Sequence, residues 1–274
     1  MLDNLFDRDL SHRTARTKVI SSGAFLAGLL VIMAAAYSQY LIPLGPTVKP
    51  FVVYGIPIVV VSLLWGRTII ARAFHDTGPA LEYGIGFYGV FTLLGAAAGV
   101  VIYVVLSSFD PNALNLLNRP NPVLNVSADY AWIMVGVSLV VIGPVEEYLF
   151  RGFVYGGLLS LFHRHHWFVL AFASALLFGG AHLYYALVYG PASLIAFADL
   201  VTFGMAMAVT YYVTGGNLLA PALIHGTYDA SAFVGIATVP ALGTLLRMLM
   251  LLVGILFAGL LYFQRVREGN ASPF

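Results

Sequence analysis

Two carboxylates, Glu146 and Glu147, stand side by side in the apolar stretch Val141-Ile142-Gly143-Pro144-Val145-Glu146-Glu147-Tyr148-Leu149-Phe150-Arg151. An ionised acid at bilayer depth costs roughly 2.5–3.5 kcal/mol on insertion scales, so an intramembrane acid is first read as a functional site with a nearby partner. The spacing supplies a partner for one of the two. Glu147 and Arg151 stand at i, i+4, share a helix face and can pair. Glu146 points about 100° away and has no counter-ion on its own helix. That asymmetry suggests that Arg151 anchors Glu147 while Glu146 faces something else. The bland alternative is that both acids belong to one structural ion cluster. Gly143-Pro144 precedes the pair; proline removes a helix hydrogen bond and can kink the span, opening space beside Glu146.

Two further segments carry groups able to do chemistry. The first is Phe178-Gly179-Gly180-Ala181-His182. A lone histidine on an apolar helix is ordinarily a hydrogen-bonded structural residue, but small neighbours such as Gly179 and Gly180 let helices approach closely and would set His182 deep in a bundle. The second is Leu218-Leu219-Ala220-Pro221-Ala222-Leu223-Ile224-His225-Gly226-Thr227-Tyr228-Asp229. His225 and Asp229 share a face at i, i+4; they can orient each other, hold a proton or bind a metal, or form a purely structural hydrogen bond. Asp199 is a lone acid whose two readings, proton relay or neutral hydrogen-bonded carboxylic acid, stay open. Arg247 lies near the start of the last apolar segment, where it can snorkel. His163, His165 and His166 flank Arg164 and are expected to form a solvated interfacial loop rather than a metal site. With no cysteine in the chain, disulfides, thiol nucleophiles and Cys-based zinc sites are excluded. Carboxylate and imidazole donors do suit zinc, and a divalent metal, if one is used, would take Glu146, His182 and His225. No HExxH motif is present.

The elements that must hold these groups are transmembrane helices. The chain has 274 residues, of which 60% are hydrophobic and 9% charged, against about 25% charged in soluble domains. This predicts an all-α, polytopic transmembrane helical bundle. A crossing takes ~20 apolar residues, and eight candidates are found: Val19–Leu41, Phe51–Phe74, Ala80–Ser107, Tyr130–Leu158, Trp167–Tyr189, Leu194–Val213, Leu218–Ile236 and Thr244–Phe263. The last but one is short and carries Pro221, His225 and Asp229; the Leu194–Val213 span carries Asp199. Pro43, Pro46 and Pro50 break the chain after the first span, and Pro79 opens the third. Phe109–Asp129 is a polar loop rich in Asn and Pro, with Ser127 or Asp129 placed to cap the fourth helix. Ala34-Ala35-Ala36 loosely resembles a signal cleavage site, but the apolar run continues past it and an uncleaved span is expected. Residues 1–274 read as a single membrane domain with a motif-bearing core of about 130–236.

Lysine and arginine bias sets orientation. Arg8, Arg13, Arg16, Lys18, Arg67, Arg72, Arg164, Arg265 and Arg267 fall on one side; Lys49, Arg119 and Arg247 fall on the other. With eight spans both termini are expected in the cytoplasm. A net charge of +1 gives no reason to expect a nucleic-acid partner.

The three motifs together, Glu146-Glu147-xxx-Arg151, Phe178-xxx-His182 and His225-xxx-Asp229, in this order on successive polar spans, resemble the family of CAAX proteases and bacteriocin-processing enzymes, whose best-known branch is the type II CAAX prenyl endopeptidase. The resemblance covers about residues 130–236. It implies a helical membrane bundle with a cavity open to the cytosol, and hydrolysis of a peptide bond in a membrane-associated peptide, prenylated (CAAX-type) or not, or in a lipidated protein. It implies that Glu146 and His182 activate the attacking water, that His225 and Asp229 lie around the developing oxyanion, and that Glu147 and Arg151 support the site. It also implies catalysis without a metal. The CAAX-processing branch usually carries Asn where this chain has Asp229. An amide donates to an oxyanion and an ionised carboxylate cannot, so either Asp229 is protonated or it orients His225 while His225 donates. Two other classes compete: a non-enzymatic immunity or scaffold protein on the same fold, and a proton-coupled transporter using Glu146, Asp199 and Asp229. The absence of evident halves or inverted repeats weakens the transporter.

Overall fold

The computed structural model describes residues 20–43, 48–110, 115 and 126–271. The basic N-terminal residues Arg8 to Lys18, and most of the polar loop 109–129, lie outside them. The described residues are helical, with no strand among them. Eight helices carry the architecture: α1 (Ser22–Leu41), α2 (Phe51–Ile70), α3 (Thr77–Phe109), α4 (Ala128–Leu161), α5 (Trp167–Ala181), α6 (Gly190–Val213), α7 (Leu219–Ala237) and α8 (Pro240–Ala271). A five-residue helical turn, Tyr185–Tyr189, joins α5 to α6.

Five of these, α2, α3, α4, α6 and the Pro240–Gln264 part of α8, are long and apolar enough to cross a membrane, where eight crossings were expected. The others fall short for readable reasons. In α1 the apolar stretch is Ser22–Ser38, and α5 is only Trp167–Ala181. The expected span Trp167–Tyr189 breaks at His182, where i→i+3 hydrogen bonds (among them His182 N to Gly179 O, Leu183 N to Gly180 O and Tyr185 N to His182 O) replace the α-helical ladder. α7 is diluted by Pro221, His225 and Asp229.

Apolar side chains cover the outside of the bundle as well as filling its core. Leu249, Leu252, Leu256, Leu260 and Phe263 on α8 and Leu93, Val100 and Val104 on α3 are exposed, while Glu147 and Arg151 are 0% and 1% exposed. Lipid is as apolar as leucine, so helices gain little by burying leucine against each other and instead pack through small residues. α3 and α8 meet at Gly89 and Gly254: a Cβ on Gly89 would stand 2.3 Å from the Gly254 carbonyl carbon. α4 and α7 meet at Gly143 and Gly226: a Cβ on Gly143 would stand 2.6 Å from both the Gly226 nitrogen and the Ala222 oxygen. That second contact sets His225 against the Glu146–Glu147 turn. α2 and α5 also pack on the Tyr148–Tyr155 part of α4, and α6 packs on α3, α5 and α7.

Capping fixes where α4 and α7 begin. Ser127 Oγ accepts from Tyr130 N at 3.3 Å, capping α4, so of the two expected caps the serine is the one used. Asn217 Oδ1 accepts from Ala220 N at 2.9 Å at the head of α7, and its amide nitrogen donates to His75 O. With Leu218 N donating to Ala73 O at 2.9 Å, the N-terminus of α7 is tied to the α2–α3 junction.

Candidate active site

The Glu146–Glu147 turn lies between two wide helical turns. Ser138–Ile142 and Tyr148–Tyr155 are π-helical, and Gly143 N–H reaches Ser138 O, five residues back. Pro144 has no N–H to give, so this is where an irregular turn costs the ladder least. Local π turns inside α-helices are frequent at functional sites. The helix stays continuous through Pro144.

Glu147 faces inward. Arg151 Nη1 lies 3.1 Å from its Oε1, as the i, i+4 spacing predicted. The same oxygen also accepts from His225 Nδ1 at 2.7 Å, a partner that spacing on one helix cannot reveal. Arg151 is held further by Gly204 O on α6, 3.3 Å from Nη2, and by the Phe178 ring, 4.5 Å below its guanidinium carbon. Stacking a guanidinium on an aromatic face offsets part of its desolvation.

Phe178 organises both histidines. Its ring lies 4.8 Å from that of His182 and 5.9 Å, edge-on, from that of His225. Its carbonyl acts separately. In an unbroken helix Phe178 O would accept from His182 N, but that N–H turns to Gly179 O instead. The orphaned carbonyl is taken by the His182 ring, Nδ1 to O 2.9 Å. A carbonyl only accepts, so Nδ1 carries the hydrogen and the neutral ring presents an Nε2 lone pair. His225 follows the same logic. Glu147, paired with Arg151, only accepts, so His225 Nδ1 carries a hydrogen and Nε2 faces Glu146 and Asp229.

Both Nε2 atoms point at Glu146. Its Oε2 lies 4.0 Å from His182 Nε2 and 3.7 Å from His225 Nε2. Asp229 Oδ2 lies 3.5 Å from His225 Nε2. Glu146 and His182 keep 13% and 19% of their side-chain surface exposed, so unlike Glu147 they can be reached. Glu146 lacks a counter-ion on its own helix but not a partner: Tyr54, at the head of α2, donates to Oε1 at 3.2 Å. Nothing in the three motifs signals Tyr54; it is one of three aromatic residues, with Phe51 and Trp65, in the apolar helix α2. Among the described residues no group of three or more His, Asp or Glu side chains is arranged to hold a metal ion.

Asp199 stands apart from this chamber. It accepts from Tyr228 OH at 3.2 Å. Arg247 covers the Tyr228 ring, 4.8 Å from its centroid, and its Nε donates to Ser231 Oγ at 2.9 Å. An apolar groove of about 470 Å³, lined in part by Leu81, Ile85, Leu223, Val234 and Met250, runs along the face of α7 opposite His225 and Asp229.

The helical bundle thus gathers two acids, an arginine, two imidazoles and a third acid in one polar cluster, groups that can take, hold and give a proton. Residues 128–231 match the family model of the type II CAAX prenyl endopeptidase Rce1-like proteins, a match that supports assigning this segment to the CAAX proteases. No curated protein and no solved structure matches the chain. The family is one of proteases acting on membrane-associated substrates.

Proposed function

We propose that the protein is an intramembrane endopeptidase that hydrolyses a peptide bond of a membrane-associated peptide, using water activated by Glu146 and His182 without a metal. The observation that carries this reading is the 4.0 Å separation of Glu146 Oε2 from His182 Nε2. It exceeds a direct hydrogen bond and suits one water at about 2.8 Å from each, a separation bridging waters commonly span. The water oxygen attacks the scissile carbonyl carbon and Glu146 takes the proton. His225, with Nδ1–H on Glu147, presents Nε2–H to the oxyanion when doubly protonated; Asp229 beside Nε2 supports that charged ring. Collapse of the tetrahedral intermediate breaks the C–N bond, and Glu146 returns the proton to the leaving amine. Glu147 and Arg151 hold His225 in place and touch no substrate.

Purified protein reconstituted with membrane-anchored peptides, prenylated and unprenylated, tests both substrate class and metal use. Cleavage is expected to persist after exhaustive chelation and to fall roughly 100-fold or more in His182→Ala. Loss of activity on chelation, restored by zinc, would replace the metal-free mechanism by a metal site on Glu146, His182 and His225.

A further inference from the structure

Tyr54 donates a hydrogen bond to Glu146 from outside the segment matching the family model, 128–231. It sits in the π turn Phe51–Gly55 that follows Pro50, where Ile56 N–H reaches back five residues to Phe51 O. A π turn adds a residue to the helical circuit and so re-aims the side chains it carries. Here it delivers the phenol to Glu146 Oε1 at 3.2 Å, while Oε2 is the oxygen facing His182 Nε2 and His225 Nε2. The two oxygens of one carboxylate therefore have different surroundings. The terminal torsion of glutamate is broad and nearly two-fold, so without a donor on one oxygen the group can swing away from the imidazoles. We infer that Tyr54 is a positioning residue for Glu146: it binds Oε1 and thereby commits Oε2 to the water-activating side. The inference rests on Glu146 being the base.

Tyr54 is not the sole tie between α2 and α4. Ser62 Oγ and Tyr148 OH are 2.9 Å apart two helical turns further along, which supplies a control for a merely structural role. The test measures kcat and KM of purified, reconstituted protein, with an infrared difference spectrum in the carboxylate-stretch region; the Glu146 band is the one lost in Glu146→Gln. Tyr54→Phe is expected to lower kcat roughly 10- to 100-fold, the scale of one hydrogen bond to a charged group. KM should stay within about twofold, and the Glu146 band should move. Ser62→Ala should change neither. Tyr54→Phe with kcat within about threefold of the parent, an unmoved Glu146 band, or an equal kcat loss in Ser62→Ala would each overturn the inference. If Glu146→Gln is inactive while Tyr54→Phe is fully active, Tyr54 alone is reassigned. If Glu146→Gln remains active, the base assignment falls and the role of Tyr54 falls with it.

Discussion

At the scale of single residues, the adjacent acids separate by what each can reach. Glu147 is fully buried and bonded to Arg151 and His225, so it is an anchor. Glu146 is partly open, with Tyr54 on one oxygen and two Nε2 atoms near the other. The Glu147–Arg151 pairing was legible because it lies along one helix at i, i+4. The Glu147–His225 bond was not, because it joins residues 78 apart in sequence, and only the packing of α4 on α7 brings them together. The same limit hid Tyr54. Removing one partner of a buried ion pair leaves a bare charge where water cannot reach, at a cost of about 3–5 kcal/mol. Arg151→Leu should therefore lower the thermal midpoint in detergent sharply, and far more than a substitution at the reachable Glu146. An unchanged midpoint would show that Arg151 does not carry the buried charge of Glu147.

At the scale of elements, the site depends on how closely α4 and α7 approach. Gly143 and Gly226 leave no room for a side chain between them, and the His225–Glu147 bond has only 2.7 Å to give. Gly143→Ala should push the helices apart and reduce both stability and cleavage. Gly136→Ala, on the same helix with nothing within 4 Å of the new Cβ, should leave cleavage intact and be neutral or stabilising by up to ~1 kcal/mol. Comparable losses in both variants, read by cleavage rate and thermal midpoint, would count against close approach as the positioning device. The sequence marked Gly143 only with Pro144, as a kink, and signalled close approach only at Gly179 and Gly180. It gave the positions of most helices closely, because apolar length and proline breaks act locally. It could not give the break at His182, because two glycines followed by an apolar run fit a continuing helix as well as a turn; the break is the step that frees Phe178 O for the imidazole.

At the scale of the whole molecule, the apolar shell and the polar chamber are two parts of one design. Exposed leucine, valine and phenylalanine on α3 and α8 suit a lipid environment, while the acids and imidazoles gather inside. Burial against other helices is low in the outer spans, only 6% of the most apolar window of α8. The hydropathy that announced a membrane protein therefore reports the shell, whereas the three motifs report the interior. Orientation rests on the Lys/Arg bias, and the absence of cysteine makes it simple to test. With the α4–α5 loop in the cytoplasm, Arg164→Cys should resist a membrane-impermeant maleimide in intact cells and react after permeabilisation. Labelling in intact cells would invert the topology.

The central claim is that Glu146 does the chemistry and Glu147 does not. It is tested most directly by comparing the cleavage rate of a membrane-anchored peptide by the purified parent protein and by Glu146→Gln, with thermal midpoints recorded for both. The account predicts a loss of roughly 100- to 10,000-fold, the range for a positioned general base, with the midpoint little changed. Full cleavage by Glu146→Gln would contradict it.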